Sequence, residues 1–392
     1  MSKQFDHHEI EDLVHEYFEY RQNMTDLPDL LVVLSKMGLN VPYLHTPVMV
    51  GLNVTLSCNQ NCIYCFIKER KISIHTTPLS FEEWCQIIDE LDQMRVLDLY
   101  ITGGEPLSVE YLIRLIKYIK SKNSFIRFGI QTNGTLISRN IARELSSLLD
   151  GEYDYIQVSL DTLNPHTYKL LRGVDEIYRV IKGIEILKEY GLKVKINTVC
   201  TRYNINELWK IYLFAHKLKV DQISFMPLFP VKRAQHLCVR DYSLLLKNFI
   251  KVYRLYKKLE LPKIVDDPIP TFPLAIKVIE THAPTDIAKK LFYYCPAGRS
   301  AIEIDAYGNV YPCPFLQVDE FVAGNCKYES LIDIWRKGRK WDRLRYGRNL
   351  VNTKCVKCKY FNQCKGACPA AAYHVYQTID MPDSRCELYE NR

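Results

Sequence analysis

Cys58, Cys62 and Cys65 stand four and then three positions apart in the short segment SCNQNCIYC, Ser57 to Cys65. Three thiols so close can bind metal, and iron-sulfur cubes are normally held by four thiolates. A loop that offers only three leaves one iron open to chelate a substrate or cofactor. Buried core thiols, or a zinc site completed elsewhere, are the plainer alternatives. A second run lies near the end of the chain: Cys355, Cys358, Cys364 and Cys368, spaced by two, five and three residues, with Cys295 and Cys313 before it and Cys386 after. So regular a spacing points to metal, whether iron-sulfur or a zinc ribbon.

The elements that position these residues follow from apolar periodicity. β-branched runs at Val48–Leu56, Leu97–Thr102, Ile126–Thr132, Tyr155–Leu160, Val194–Val199 and Val220–Met226 read as buried strands. Helical patterns alternate with them at Ser80–Met94, Val109–Lys122, Ser138–Leu149, Ile177–Tyr190 and Ile205–Leu218. Strand-helix alternation means right-handed crossovers and a parallel sheet. Six units predict an α/β fold, a partial (β/α)6 TIM-like barrel with function at the carboxyl ends of its strands. The first cysteine loop follows the first strand and so sits at that end. Prolines then punctuate residues 231–294, read as a connector, and AYG between Ala301–Asp305 and Asn309–Tyr311 signals a hairpin. The expected domains are a helical extension over 1–46, the barrel over 47–230, the connector and a cysteine-rich domain over 295–392. The extension reads as an amphipathic helix, Ile10–Gln22, and a short apolar segment, Leu27–Met37.

With 392 residues and 47% hydrophobic content, the chain can bury a full core. No run approaches the roughly 20 apolar residues of a membrane span, and the charged start is unlike a signal peptide. The expected address is the cytoplasm, where fourteen cysteines serve metal or redox chemistry rather than disulfides. The net charge of +7 is modest, but twelve Lys and Arg against three acids fall between Lys327 and Lys365. That stretch is a solvated face, compensation for anionic metal-thiolate clusters, or a landing site for an acidic partner. Its overlap with the cysteine run favours compensation over nucleic acid.

CxxxCxxC after a strand, with the aromatic Tyr64 before the third cysteine, resembles the radical S-adenosylmethionine (SAM) superfamily. There the cofactor's amine and carboxylate occupy the open iron. Gly103, Gly104, Glu105 and Pro106, at the end of the second strand, look like that family's site for the methionyl amine, with Glu105 pairing the ammonium. By the same resemblance Asn133, Ser159, Asp161 and Arg172 reach the ribose and methionyl carboxylate; turns or helix caps are the alternative. The C-terminal pattern is similar to the SPASM extension, which carries two auxiliary clusters. The resemblance implies Cys355, Cys358, Cys364 and Cys386 around one and Cys295, Cys313 and Cys368 around the other, with Cys326 a candidate eighth ligand. The implied cofactors are S-adenosylmethionine and three 4Fe-4S clusters, and the implied reductant is of flavodoxin or ferredoxin type.

Enzymes with this two-part pattern mostly modify ribosomally made peptides by cross-linking, thioether formation or epimerisation, so a peptide substrate is expected. A small-molecule radical dehydrogenase or epimerase is the alternative. A sulfatase-maturing enzyme is less expected, because Pro314 follows Cys313 where that branch places an Asp. A non-catalytic electron carrier would have no use for Glu105. The stretch before the first strand is too short for a fused recognition domain, which leaves room for a separate recognition protein. Cys85 reads as helix packing. Cys200, ending the fifth strand, and Cys238, in the connector, read as packing or as catalytic hydrogen-atom donors that quench a substrate radical.

Overall fold

The computed structural model describes residues 41–69, 77–266 and 295–386. The expected N-terminal helix lies outside the described residues. Strands and helices alternate as β1 Met49–Thr55, α1 Phe81–Gln93, β2 Asp98–Gly103, α2 Leu112–Lys120, β3 Arg127–Thr132 and α3 Arg139–Leu148. They continue as β4 Tyr155–Ser159, α4 Pro165–Arg172, α5 Ile177–Glu189, β5 Val194–Cys200, α6 Leu208–Lys217 and β6 Gln222–Pro227. Within the expected connector stand a helix, α7 Tyr242–Leu259, and a strand, β7 Lys263–Asp266. Beyond it come β8 Ala301–Ile304, β9 Asn309–Tyr311, β10 Gly324–Asn325, α8 Leu331–Lys337 and α9 Pro369–Tyr376.

One sheet runs through both parts of the chain, in the order β10-β9-β8-β1-β2-β3-β4-β5-β6-β7. The six expected strands pair in parallel and in sequence. β7 extends one edge in parallel, and β8 lies parallel against β1 on the other. β8, β9 and β10 then form antiparallel pairs. The fold is the α/β partial barrel of the sequence reading, lengthened by β7 at one edge and by β8, β9 and β10 at the other.

Side chains alternate across this sheet. Leu52, Leu99, Ile101, Phe128, Ile130, Ile156, Val158, Ile196, Ile223 and Phe225 are buried in one core with Trp84, Ile88, Leu115, Ile184 and Tyr212 from the covering helices. The opposite faces carry Asn53, Tyr100, Thr102, Gln131, Gln157, Ser159 and Asn197, so the barrel interior is polar. Asn53 donates to Glu303 at 2.6 Å, and Thr102 lies 3.2 Å from Gln131. α1 starts where expected: Ser80 and Glu83 form a reciprocal capping box, and Trp84, Ile87, Ile88 and Leu91 make its buried face.

Candidate active site and cysteine sets

The cysteine loop leaves β1 and is gripped from two sides. On one side the C-terminal carbonyls of α4 take its amides: Asn61 donates to Arg172 O and Ile63 to Leu171 O, each at 3.0 Å. These are carbonyls that a helix end leaves without internal partners. Gly173 closes α4 in the left-handed conformation, φ 73°, and a Cβ there would lie 2.6 Å from Asn61 O. Tyr168, one turn before Arg172, accepts from Gln60 Nε2 at 2.9 Å.

On the other side, Gly104 donates to Thr55 O at 2.7 Å and Glu105 to Ser57 O at 2.8 Å. A Cβ on Gly103 would sit 2.2 Å from Thr55 O, and one on Gly104 2.0 Å from Ser57 O. The two glycines therefore let the end of β2 close onto the cysteine loop. Their sequence reading, close approach to a ligand, misses this first duty.

Glu105 departs further from expectation. It is fully buried, and its carboxylate accepts from Thr132 Oγ1 at 2.6 Å, Asn133 N at 2.7 Å and Leu107 N at 3.0 Å. Burial pushes its carboxyl up, and these three donors pull it back. So placed, Glu105 locks the end of β2 to the end of β3, and it caps the short turn that begins at Pro106. Asn133 in turn donates to Asn59 at 2.7 Å, with the same amide 3.8 Å from Cys58 Sγ.

Asp161, fully buried after β4, gathers three partners. Arg172 forms an ion pair with its Oδ2 at 2.7 Å, the Tyr64 hydroxyl donates to the same oxygen, and Val199 N donates to Oδ1 at 2.9 Å. Arg172 also reaches Cys62 Sγ at 3.9 Å and lies 5.6 Å from the centre of the Tyr64 ring. Burial works against its charge, but Asp161, Tyr64 and Cys62 together hold it well above the usual arginine range. Burial pushes the Cys62 thiol up, while Arg172 opposes it. Burial also raises Cys58 and Cys65, and each cysteine of the trio feels another. Backbone and side-chain donors thus face the sulfurs: Gln60 N lies 3.4 Å from Cys58 Sγ. Ser159 ends β4, half-buried on the interior face.

The C-terminal thiols fall into two groups. Cys355, Cys358, Cys364 and Cys386 line one cavity with Tyr360, Phe361 and Asp383. Burial raises the thiols of Cys295 and Cys313, Cys368 adds to both and Cys295 adds to Cys313, and Cys295 is pushed up to about 12. No three His, Cys, Asp or Glu among the described residues converge on a single metal ion. The spacing suits donors that surround a larger group, and all three sets fit iron-sulfur cubes.

Two candidates stand away from their expected places. Cys326 is buried against the β8–β9 turn, its Sγ 3.1 Å from Gly308 O; Glu90 and Asp305 are its charged neighbours, not the other cysteines. That turn begins β9, whereas Cys313 follows its end, so Cys326 is not gathered with Cys295, Cys313 and Cys368. Cys200, 1% exposed, shares the helix-facing side of β5 with Val194 and Ile196 by strand alternation, and so packs in the core away from the barrel interior. Glu105, as above, takes three donors from its own chain, and with one of them alone on Oε2 its carboxylate keeps room for a further donor. Cys238 is half-buried against the cluster of Leu228, Val231, Ala234 and Leu237, which Ile63, Tyr64 and Phe66 of the cysteine loop also meet, and its sulfur lies 3.7 Å from Leu228 O.

Sequence reasoning missed Gln60, Tyr168 and an aromatic bridge. Tyr168 and Arg172 share a helix face at four-residue spacing, a signal that was available. Phe66, next to Cys65, meets Phe315 at 5.1 Å, and Phe315 stacks on Phe229 at 3.9 Å. These rings come from three distant segments, and no local pattern announces them.

Residues 52–215 match the radical SAM superfamily, and residues 295–368 match SPASM, an iron-sulfur cluster-binding domain. Mycofactocin maturase MftC of Mycolicibacterium smegmatis is 27% identical over 345 residues, 88% of this chain and 83% of the relative. The AdoMet-dependent heme synthase of Methanosarcina barkeri is 26% identical over 84% of this chain and 93% of its own length. The crystal structure of Streptococcus suis SuiB bound to precursor peptide SuiA superposes with a TM-score of 0.70 at 22% identity, covering 91% of this chain and 79% of that one.

Proposed function

We propose that this chain, which joins a radical SAM domain to a C-terminal SPASM domain, modifies a ribosomally synthesised peptide by cross-linking, thioether formation or epimerisation. The observation that carries this reading is the unequal number of thiols in its cysteine sets. Four line the cavity of Cys355, Cys358, Cys364 and Cys386, whereas among the described residues Cys58 and Cys62 of the N-terminal trio are met by the amides of Asn133 and Gln60 and the guanidinium of Arg172. A cube on that trio, open at one iron, would bind S-adenosylmethionine and supply the electron that cleaves it to a hydrogen-abstracting radical.

The chain's own residues prepare that site. α4 and the Gly103–Pro106 segment hold the trio rigid, and Arg172 and Asn133 direct positive charge and amide hydrogen towards its sulfurs. Ser159 and Asp161 stand at the end of β4, with Tyr64 of the cysteine loop against Asp161, where the cofactor's ribose and carboxylate would lie. Cys295, Cys313 and Cys368 would hold a second cluster and the four-cysteine cavity a third. The peptide substrate is drawn from the maturase relative, which is similar over most of both chains. A flavodoxin- or ferredoxin-type protein would supply electrons, and a separate recognition protein would deliver the peptide.

Among the three outcomes, Cys238 would serve epimerisation. Its thiol meets the carbonyls of Leu228 and Ala234, in an apolar cluster that Ile63 and Tyr64 of the cysteine loop also touch, and from that region it would pass a hydrogen atom to a substrate carbon. The test is anaerobic incubation of reconstituted protein with reductant, S-adenosylmethionine and peptides encoded beside it. Formation of 5'-deoxyadenosine, with a peptide that loses a pair of hydrogens or takes up deuterium from heavy water, is expected. Absence of 5'-deoxyadenosine would overturn the reading. Cys238→Ala should keep cofactor cleavage and abolish deuterium uptake.

A further inference from the structure

Among the described residues, exposed lysines border the cavity of Cys355, Cys358, Cys364 and Cys386. Its cysteines are only half-buried, and Lys354, Lys357, Lys359 and Lys365, between and beside them, are exposed. No Asp or Glu occurs from residue 351 to 365. The carboxylates nearest in the fold are engaged: Asp380 is paired with Arg343, and Asp383 accepts from Arg385 and the amide of Cys368. Val351 and Val356 lie on the same segment, 66% and 45% exposed. A basic rim with exposed apolar side chains, around a redox group near the surface, has the composition of a small transient redox interface.

We infer that this rim is the docking face for a small acidic one-electron carrier protein, which exchanges electrons with the cluster held by these four cysteines. One electron passes from the reduced carrier to the oxidised cluster; the carrier is oxidised by one and the cluster reduced by one. Opposite charge steers such a partner and raises its association rate by roughly 10 to 1,000-fold at low salt. The inference rests on the cluster assignment proposed above and adds the partner's route to it. Charge compensation of the thiolates alone would also place lysines here, but it requires no partner.

The test mixes anaerobically reconstituted protein with a reduced acidic flavodoxin and follows reoxidation of the flavin by stopped flow. The second-order rate should fall at least tenfold between low and high salt. The variant K354E/K357E/K359E should be at least tenfold slower at low salt, with iron content and reduction by an uncharged photoreductant unchanged. The neutral variant K354Q/K357Q/K359Q should fall between, and serves if charge reversal impairs folding. A salt-independent rate, an unchanged variant rate, equal slowing with the photoreductant, or tighter binding to single-stranded RNA than to the flavodoxin would overturn the inference. Failure of the underlying assignment shows separately, as equal iron content in the wild type and Cys364→Ala.

Discussion

At Arg172 a single guanidinium faces two groups, the Asp161 carboxylate and the Cys62 sulfur, and is buried with the carboxylate while the cysteine is half-buried. Removing one partner of a buried pair leaves the other charge uncompensated, at a cost of about 3–5 kcal/mol. Arg172→Ala should therefore destabilise the metal-free chain by about that much in urea titration, whereas Arg172→Met with Asp161→Asn should restore most of it. A double variant no more stable than the single would remove the pair from the account. The identity of these residues was legible: Cys58, Cys62 and Cys65 stand out by spacing, and the Gly-Gly-Glu-Pro run by its resemblance to the radical SAM superfamily. Their geometry was less so. Glu105 carries a charge that suggests a ligand, but only the fold shows Thr132, Asn133 and Leu107 occupying it.

Two elements hold the site by their ends, and each gives a prediction. α4 was not read from the sequence, because its segment Pro165–Arg172 spans only about two turns; the six strands were, because β-branched and apolar residues recur along each of them. Yet α4 supplies the carbonyls that seat the cysteine loop. Gly173→Ala places a methyl group in a left-handed residue 2.6 Å from Asn61 O, so the loop must move. Iron bound at Cys58, Cys62 and Cys65 should fall while the C-terminal iron stays, read as a loss of about four irons per chain. The second element is α1. Glu83 closes its capping box and also pairs with Lys327 from the C-terminal domain at 2.7 Å. The bond from Lys327, and then the Ser80 amide, hold the Glu83 carboxyl below its ordinary value of 4.5. A depressed carboxyl contributes stability above its unfolded pKa and loses it as pH falls through the folded one. The stability gap between wild type and Glu83→Gln should therefore be constant near neutrality and shrink below about pH 4.5. A gap independent of pH would place the contribution elsewhere.

For the molecule as a whole, the sequence suggests a barrel, a connector and an appended domain, but the sheet does not respect those divisions. β7 and β8, on either side of the undescribed residues 267–294, extend the barrel at opposite edges. Neither was visible as part of it, since β7 is four residues beside prolines and parallel pairing across hundreds of positions leaves no local pattern. β8 brings Glu303 into the barrel interior, where it is fully buried and accepts from Asn53 and the Tyr100 hydroxyl. The Phe66–Phe315–Phe229 rings join the same two parts at the cysteine end. A shared sheet and a shared polar cluster should make unfolding one event. Far-ultraviolet circular dichroism and the visible absorbance of the iron-sulfur groups are expected to change at the same denaturant concentration. Glu303→Leu tests the coupling directly: it leaves the Asn53 amide and the Tyr100 hydroxyl without their shared acceptor, at about 1–3 kcal/mol each. The substitution lies in the C-terminal domain, but it should lower the midpoint of both signals together. Loss of the C-terminal signal alone, with the barrel's transition unmoved, would mean that β8 rests against β1 without contributing to its stability.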